Sequence, residues 1–331
     1  MVVLFYVAVV VIWGSTWVAI AYQVGDVPVA ASICYRSAAA ALLLFGYLLV
    51  RRTPLRFRFR QHVQMALIGT LMFSGNYLFL YTAEEKIASG LVALLFSMTL
   101  PLNVINTSIF LRKRISPIVL VATVLGIAGA TIMFWPDLVG MRANAESLLG
   151  VGMALAGTMC FSLGNMVSVS SQEAGVPVVQ SEAFGLLYGA LILVPVVLVT
   201  GGFRVSLEPT YIISLAYLVI FGSIIGFAFY LTLLGRGGAA RAGYITVLFP
   251  IVALVWSTLL ESYVWTLQAL CGGVLILLGS AIAITPPDRL RCMTRSAFRR
   301  TRPEAARHAA VPGPPVLDDR PDEESRTAIP R

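Results

Sequence analysis

Trp13 and Trp17 stand four residues apart, and Phe73, Tyr77 and Tyr81 repeat at the same interval with Asn76 beside them. Positions four apart share one face of a helix, so each group presents an aromatic stripe with few polar atoms. The stretch FSMTLPLN at 96–103 adds Met98, Thr99 and Asn103 around Pro101, and Ser162, Asn165, Met166 and Tyr244 extend the set along the chain. Rings and thioethers suit the apolar part of a small solute, while amides and hydroxyls suit its polar ends. The chemistry these residues offer is binding of an amphipathic molecule. A plainer reading stands beside it for each: Trp and Tyr anchor helices at membrane surfaces, as Trp135 and Trp265 are placed to do, and Asn and Ser join neighbouring helices.

Bond-breaking chemistry finds little support. An intramembrane serine hydrolase needs a base beside its serine, and the two histidines, His62 and His308, lie at a span edge and in the tail. The cysteines Cys34, Cys160, Cys271 and Cys292 are scattered and form neither a zinc pattern nor a disulfide framework. No catalytic residue, metal site or cofactor is expected. Two ionisable groups, Arg36 and Glu182, fall inside apolar segments, where charge is retained for function. Arg36 suits either a substrate carboxylate or the carbonyls of a neighbouring helix.

The elements that must position these residues follow from composition. The chain is 58% hydrophobic and only 12% charged, with mean hydropathy +0.85, which no water-soluble domain of this size matches. Ten apolar stretches, each near the length that crosses a bilayer, occupy 2–22, 28–50, 62–82, 88–111, 116–135, 147–171, 177–200, 209–234, 239–260 and 264–285. The first has no basic n-region or cleavage site, so it reads as a helix rather than a leader. The expected fold is all-α and membrane-embedded. The net charge of +8 does not imply nucleic acid, because the basic residues cluster at 51–60, 112–114, 236–241 and in the tail, on one side of such a topology. By the positive-inside rule both termini are cytoplasmic. The tail, 286–331, is rich in Pro and Arg and then acidic, too polar for a core, and is expected to be disordered.

The chain also repeats itself. VPVAAS at 27–32 returns as VPVVQS at 176–181, and the same spacing of 149 residues joins Pro101 to Pro250 and Tyr81 to Tyr230. A duplication of a five-span unit must insert its second copy upside down, which is the plan of many secondary transporters. The expected organisation is a first repeat at 1–135, a periplasmic connection at 136–146, a second repeat at 147–285 and the tail. Pro101 and Pro250 then read as paired hinges that free the carbonyls of Ser97 and Thr246.

WGSTWVAI at 13–20, YRSAAAALLL at 35–44 and the short basic RKRIS at 112–116 resemble EamA-type members of the drug/metabolite transporter superfamily, over residues 2–285. The resemblance implies ten helices in two inverted five-helix repeats around a central cavity, in a bacterial inner membrane. It also implies export of small metabolites by alternating access. The aromatic spans make the chain similar to amino-acid exporters, with a drug or nucleotide-sugar carrier of the same fold, or a membrane-embedded enzyme, as alternatives. The expected partners are a small-molecule substrate and the lipid bilayer, not nucleic acid, and the expected state is a monomer. RKR at 112–114 departs from the family, which often has a glutamate there, whereas Glu261 keeps one in the second half.

Overall fold

Prolines and glycines set the limits of the helices. Pro28 and Pro177 immediately precede helices, and Pro117 and Pro209 open them, positions where a missing N–H costs nothing. Gly175 and Gly202 follow helices with φ of +80° and +76°, a backbone region that residues bearing a Cβ rarely adopt. The computed structural model describes residues 2–25, 27–111, 117–133, 135, 145–260 and 265–284. The tail, the RKRIS segment and most of the 136–146 connection lie outside the described residues.

In chain order the helices are α1 (Val2–Ala21), α2 (Val29–Val50), α3 (Phe59–Ile68), α4 (Asn76–Glu84), α5 (Ser89–Phe96) and α6 (Thr99–Leu111). There follow α7 (Pro117–Met133), α8 (Ala145–Glu173), α9 (Val178–Val199), α10 (Pro209–Tyr217), α11 (Gly226–Leu260) and α12 (Leu267–Ile284). No strand occurs among the described residues. Among the described residues seven helical segments are long and apolar enough to cross a membrane, and Leu248–Leu260 and Leu267–Gly279 are shorter apolar helices. Polarity runs inside out. Leu42, Val50, Leu198 and Val199 are exposed, while Arg36, Asn76, Asn103, Asn165 and Glu182 are buried. Only a hydrocarbon surround makes that arrangement favourable.

α2 packs along α9, α7 along α12, α1 along α11, and α4 and α6 along α8. Two π-helical segments, Gly69–Gly75 and Leu218–Ile225, interrupt the third and eighth expected spans. Their first residues are 149 apart, the same spacing as the sequence motifs. Such segments concentrate at functional sites.

Two details depart from the sequence expectation. The ranges 209–234 and 239–260 read as separate spans, yet the backbone is helical through Gly226–Leu260. The ring of Trp13 nevertheless lies 5.0 Å from Phe227 and 6.3 Å from Phe249. A straight helix would hold residues that far apart in sequence about 33 Å from each other. α11 therefore doubles back between Tyr230 and Phe249 and forms two limbs. The prolines also differ from each other. Before Pro101 the helix opens at Ser97 and Met98, where the Ser97 carbonyl accepts from Leu100 N–H at 3.2 Å and the Ser97 hydroxyl donates to Leu94 O at 2.6 Å. Pro250 sits inside uninterrupted helix. There α1 crosses closely, with Gly14 against Val252 and the Phe249 carbonyl, a contact that leaves little room for a kink.

Candidate functional site

The buried heart of the bundle is aromatic. Trp13 meets Tyr230 at 4.7 Å and Phe227 at 5.0 Å, Trp17 stacks on Phe249 at 5.9 Å, and Phe96 meets Phe161 at 4.8 Å. These rings come from α1, α5, α8 and both limbs of α11. All but Tyr230 line, with Thr16, Arg36, Asn76 and Tyr77, a cavity of about 40 Å³. One water in the liquid takes about 30 Å³, so in this conformation the rings nearly fill the space. The indole N–H of Trp17 is buried and has no partner.

Arg36 is the one cation among the residues lining this cavity. Its Nε donates to Ser223 Oγ at 2.8 Å, Nη1 to the Tyr81 hydroxyl at 3.2 Å and Nη2 to the Tyr77 hydroxyl at 3.0 Å, with the guanidinium 4.2 Å from the Tyr77 ring centre. Three of its five donors are thus committed. One N–H remains on each terminal nitrogen. Ser223 lies in the second π segment and matches Ser74 of the first at the 149-residue spacing. Ser74 instead donates to Gly69 O and Gly189 O, each at 3.0 Å.

A second polar group lies on α6 and α8. Asn106 Nδ2 donates to Ser162 Oγ at 2.8 Å, Ser162 donates to Asn103 Oδ1 at 2.8 Å, and Asn165 Nδ2 donates to the same oxygen at 3.3 Å. Thr99 Oγ1 is buried without a hydrogen bond, and the buried Tyr230 hydroxyl lies beside the side chains of Asn165 and Asn103 and interacts with both. Buried polar atoms left unmet are costly, and their presence in a native fold calls for an occupant or a second arrangement.

Along α8, this cluster falls between Phe161 at the cavity and Met166 at a vestibule of about 750 Å³. The vestibule lies between α3, the ends of α6 and α8, and Leu234 and Gly235 of α11, at the end of the bundle where the basic 51–60 segment leads into α3. At the opposite end α1 and α2 are tied to α10. Gln23 Nε2 donates to Tyr211 O at 2.8 Å and to Ser214 Oγ at 2.5 Å, and Ser32 and Tyr211 share a hydrogen bond of 2.9 Å. Among the described residues the bundle thus has its large vestibule at one end, hydrogen bonds between α1, α2 and α10 at the other, and an aromatic middle.

Of the residues singled out from sequence, Trp13, Trp17, Asn76 and Tyr77 meet at the cavity. Asn103, Ser162 and Asn165 form the polar cluster, with Thr99 buried on the same helix as Asn103. Met166 lines the vestibule and receives the Thr107 hydroxyl at 3.5 Å. Tyr81 holds Arg36 rather than the cavity. Phe73 packs on Phe227 and Gly185, and Met98 fills the space left by Gly126. The side chain of Tyr244 lies outside the described residues. Sequence reasoning missed Thr16, Phe96, Phe161 and Phe249 as lining residues, and Ser223 as the partner of Arg36. Applying the 149-residue spacing to Ser74 finds Ser223. The scattered phenylalanines carry no comparable signal.

The model of the EamA-like transporter family matches residues 1–135 and 148–285. The chain belongs to the EamA-like transporter family. It is a multi-pass membrane protein and a transporter. Over 274 residues this EamA-like transporter is 26% identical to the uncharacterized inner membrane transporter YedA of Escherichia coli, covering 76% of this chain and 80% of that protein. It is 27% identical over 293 residues to a probable amino-acid metabolite efflux pump of Salmonella typhimurium, covering 83% and 92%. An uncharacterized transporter of Archaeoglobus fulgidus is 23% identical, covering 83% and 95%. A solved crystal structure, 18% identical with a TM-score of 0.63, covers 85% of this chain and 96% of its own and shares the fold.

Proposed function

We propose that this transporter exports small amphipathic metabolites, amino acids foremost, from the cytoplasm by alternating access. The observation that carries the reading is a ring-lined cavity in which Arg36 keeps two N–H donors unused. A guanidinium fork receives a carboxylate, and the surrounding rings receive an apolar or aromatic side chain. The efflux-pump relative from Salmonella typhimurium is named for substrates of this chemistry.

The same reading takes ten membrane passes in two inverted repeats, at 1–135 and 147–285. The equal spacing of the π segments and the doubled-back α11 support it. Basic loops beside the vestibule give it a cytoplasmic opening in a bacterial inner membrane, with both termini inside. The protein acts as a monomer in this scheme. Substrate enters from the vestibule, the amides of Asn103 and Asn165 receive its polar end, and the rings part to admit it.

In this scheme Pro101 is a hinge, because the helix is already open beside it, and Pro250 is its counterpart. Pro101→Ala supplies the missing N–H to Ser97 O, a bond worth about 1 kcal/mol. Stabilising one conformation by that amount slows departure from it about fivefold. Turnover is therefore expected to fall about fivefold, with equal or higher thermal stability and little change in equilibrium binding. Unchanged turnover in the Pro101→Ala, Pro250→Ala double variant would reduce both prolines to static features.

The substrate reading is tested by counterflow of a labelled amino-acid panel in proteoliposomes. Aromatic and branched amino acids are expected to exchange fastest. Trp17→Ala is expected to slow aromatic solutes several-fold more than small ones, since a ring pair contributes about 0.5–1.5 kcal/mol beyond its burial. Equal losses for all solutes at intact protein levels would show that Trp17 does not touch substrate. Failure of every amino acid to exchange would reject the class.

A further inference from the structure

Glu182 lies in the first turns of α9, fully buried, and neither carboxyl oxygen has a hydrogen-bond partner. Among the described side chains, the titratable groups on the helices packed against α9 are engaged elsewhere or, like Tyr47 of α2, exposed. Cys34 of α2 reaches Ala190 O at 3.6 Å, Tyr35 lies against Phe203, and His62 of α3 bonds the Tyr188 hydroxyl at 2.8 Å. Tyr230 of α11 lies among Trp13 and Phe161, and Arg60 of α3 and Glu146 and Glu173 of α8 are exposed. Arg36 is committed to Ser223, Tyr81 and Tyr77.

An ionised carboxylate with no cation and no donor is far more costly in such a place than the neutral acid. The sequence shows that the position does not need an acid for packing. VPVAASI at 27–33 matches VPVVQSE at 176–182, so the counterpart of Glu182 is Ile33, which is equally buried. The second half has placed a titratable group where the first has a hydrocarbon.

We infer that Glu182 is a proton-binding site whose charge sets the balance between this vestibule-open conformation and one in which its carboxyl reaches water. The step is a simple ionisation. The O–H bond breaks, the proton passes to water, and a carboxylate remains; no redox partner is involved. This conformation holds one proton more than its alternative, so acid favours it and alkali favours the other. The ratio of the two changes by about tenfold per pH unit once the exposed carboxyl is ionised. The inference concerns the protein without substrate and stands apart from the identity of the solute.

The test uses the full chain in lipid, with its native cysteines replaced and spin labels at Leu67→Cys and Phe110→Cys, which line the vestibule from α3 and α6. Raising pH is expected to shift the parent from the wide to a narrow label distance. Glu182→Gln, which keeps shape and stays neutral, is expected to hold the wide distance at every pH. Glu182→Ile, which copies the Ile33 counterpart, gives a second neutral variant should glutamine impair folding. Infrared spectra of the same samples should show a protonated-carboxyl stretch at neutral pH that both variants lose. A parent insensitive to pH, a variant that still responds, or the absence of that infrared band would each overturn the proposal. Exchange of amino acids in the panel above, whatever its outcome, bears on the substrate reading alone.

Discussion

Arg36→Lys is expected to slow transport of carboxylate-bearing solutes about 100-fold while the protein still inserts and folds. The guanidinium reaches three hydroxyls on two elements, Ser223 in the second π segment and Tyr77 and Tyr81 on α4, and keeps two N–H groups over the cavity. An ammonium has three donors on one nitrogen and no planar fork. It can satisfy the hydroxyls or a carboxylate, but not both sets together. Losing a hydrogen bond to a charged group costs about 1.5–3 kcal/mol, and a loss near the upper value corresponds to about 100-fold in rate or affinity. Arg36→Ala should be worse and should also lower thermal stability, because Tyr77, Tyr81 and Ser223 then lose the donor they share. Counterflow and melting curves on the purified variants separate the two effects. If Arg36→Lys exchanged carboxylates at the parental rate, the guanidinium would be a strut between helices and the substrate carboxylate would bind elsewhere.

Gly69→Val is expected to abolish accumulation of folded protein. A Cβ at Gly69 would run into the Gly185 carbonyl and the Gly189 backbone nitrogen on α9. Neither obstacle is a side chain that can rotate away. Close helix contact through small residues is the main packing device of membrane bundles, and Gly185 and Gly189 supply the other side of this one. Overpacking a tight interface costs about 1–3 kcal/mol even where side chains can yield, and backbone against backbone exceeds that. The same contact carries the Ser74 bond to Gly189 O, so the π segment would be displaced with it. Gly46→Val is the control, since nothing lies within 4 Å of a Cβ there. Detergent-extracted yield and size-exclusion profiles check the pair. Normal yield of Gly69→Val would mean that α3 and α9 do not approach as closely in the membrane.

Much of this protein was legible before any coordinates. Long apolar runs fix a membrane protein because only helices satisfy their own backbone in hydrocarbon. Prolines at 28, 117, 177 and 209 mark where helices begin, since each lacks an N–H that the first turn does not need. The aromatic stripes of α1 and α4 were visible from their four-residue spacing, and two of them, through Trp13, Trp17 and Tyr77, meet at the cavity.

Other features belong to the tertiary structure alone. Phe96, Phe161 and Phe249 come from three helices and share no period, so only packing brings them into one cage. The doubling back of α11 was expected from sequence as a loop, but its GRGGAARAG stretch contains no proline and stays helical, and only contacts of both limbs with Trp13 reveal the reversal. The fate of each proline was decided in the same way. An identical ring opens the chain before Pro101 and leaves the helix unbroken at Pro250, because what a proline does to a helix depends on the space its neighbours leave. Likewise, sequence shows that Arg36 and Glu182 are ionisable and deep. That one is satisfied on three sides and the other on none is set by which helices pack beside them, and burial without a partner is what turns a carboxyl into a proton site.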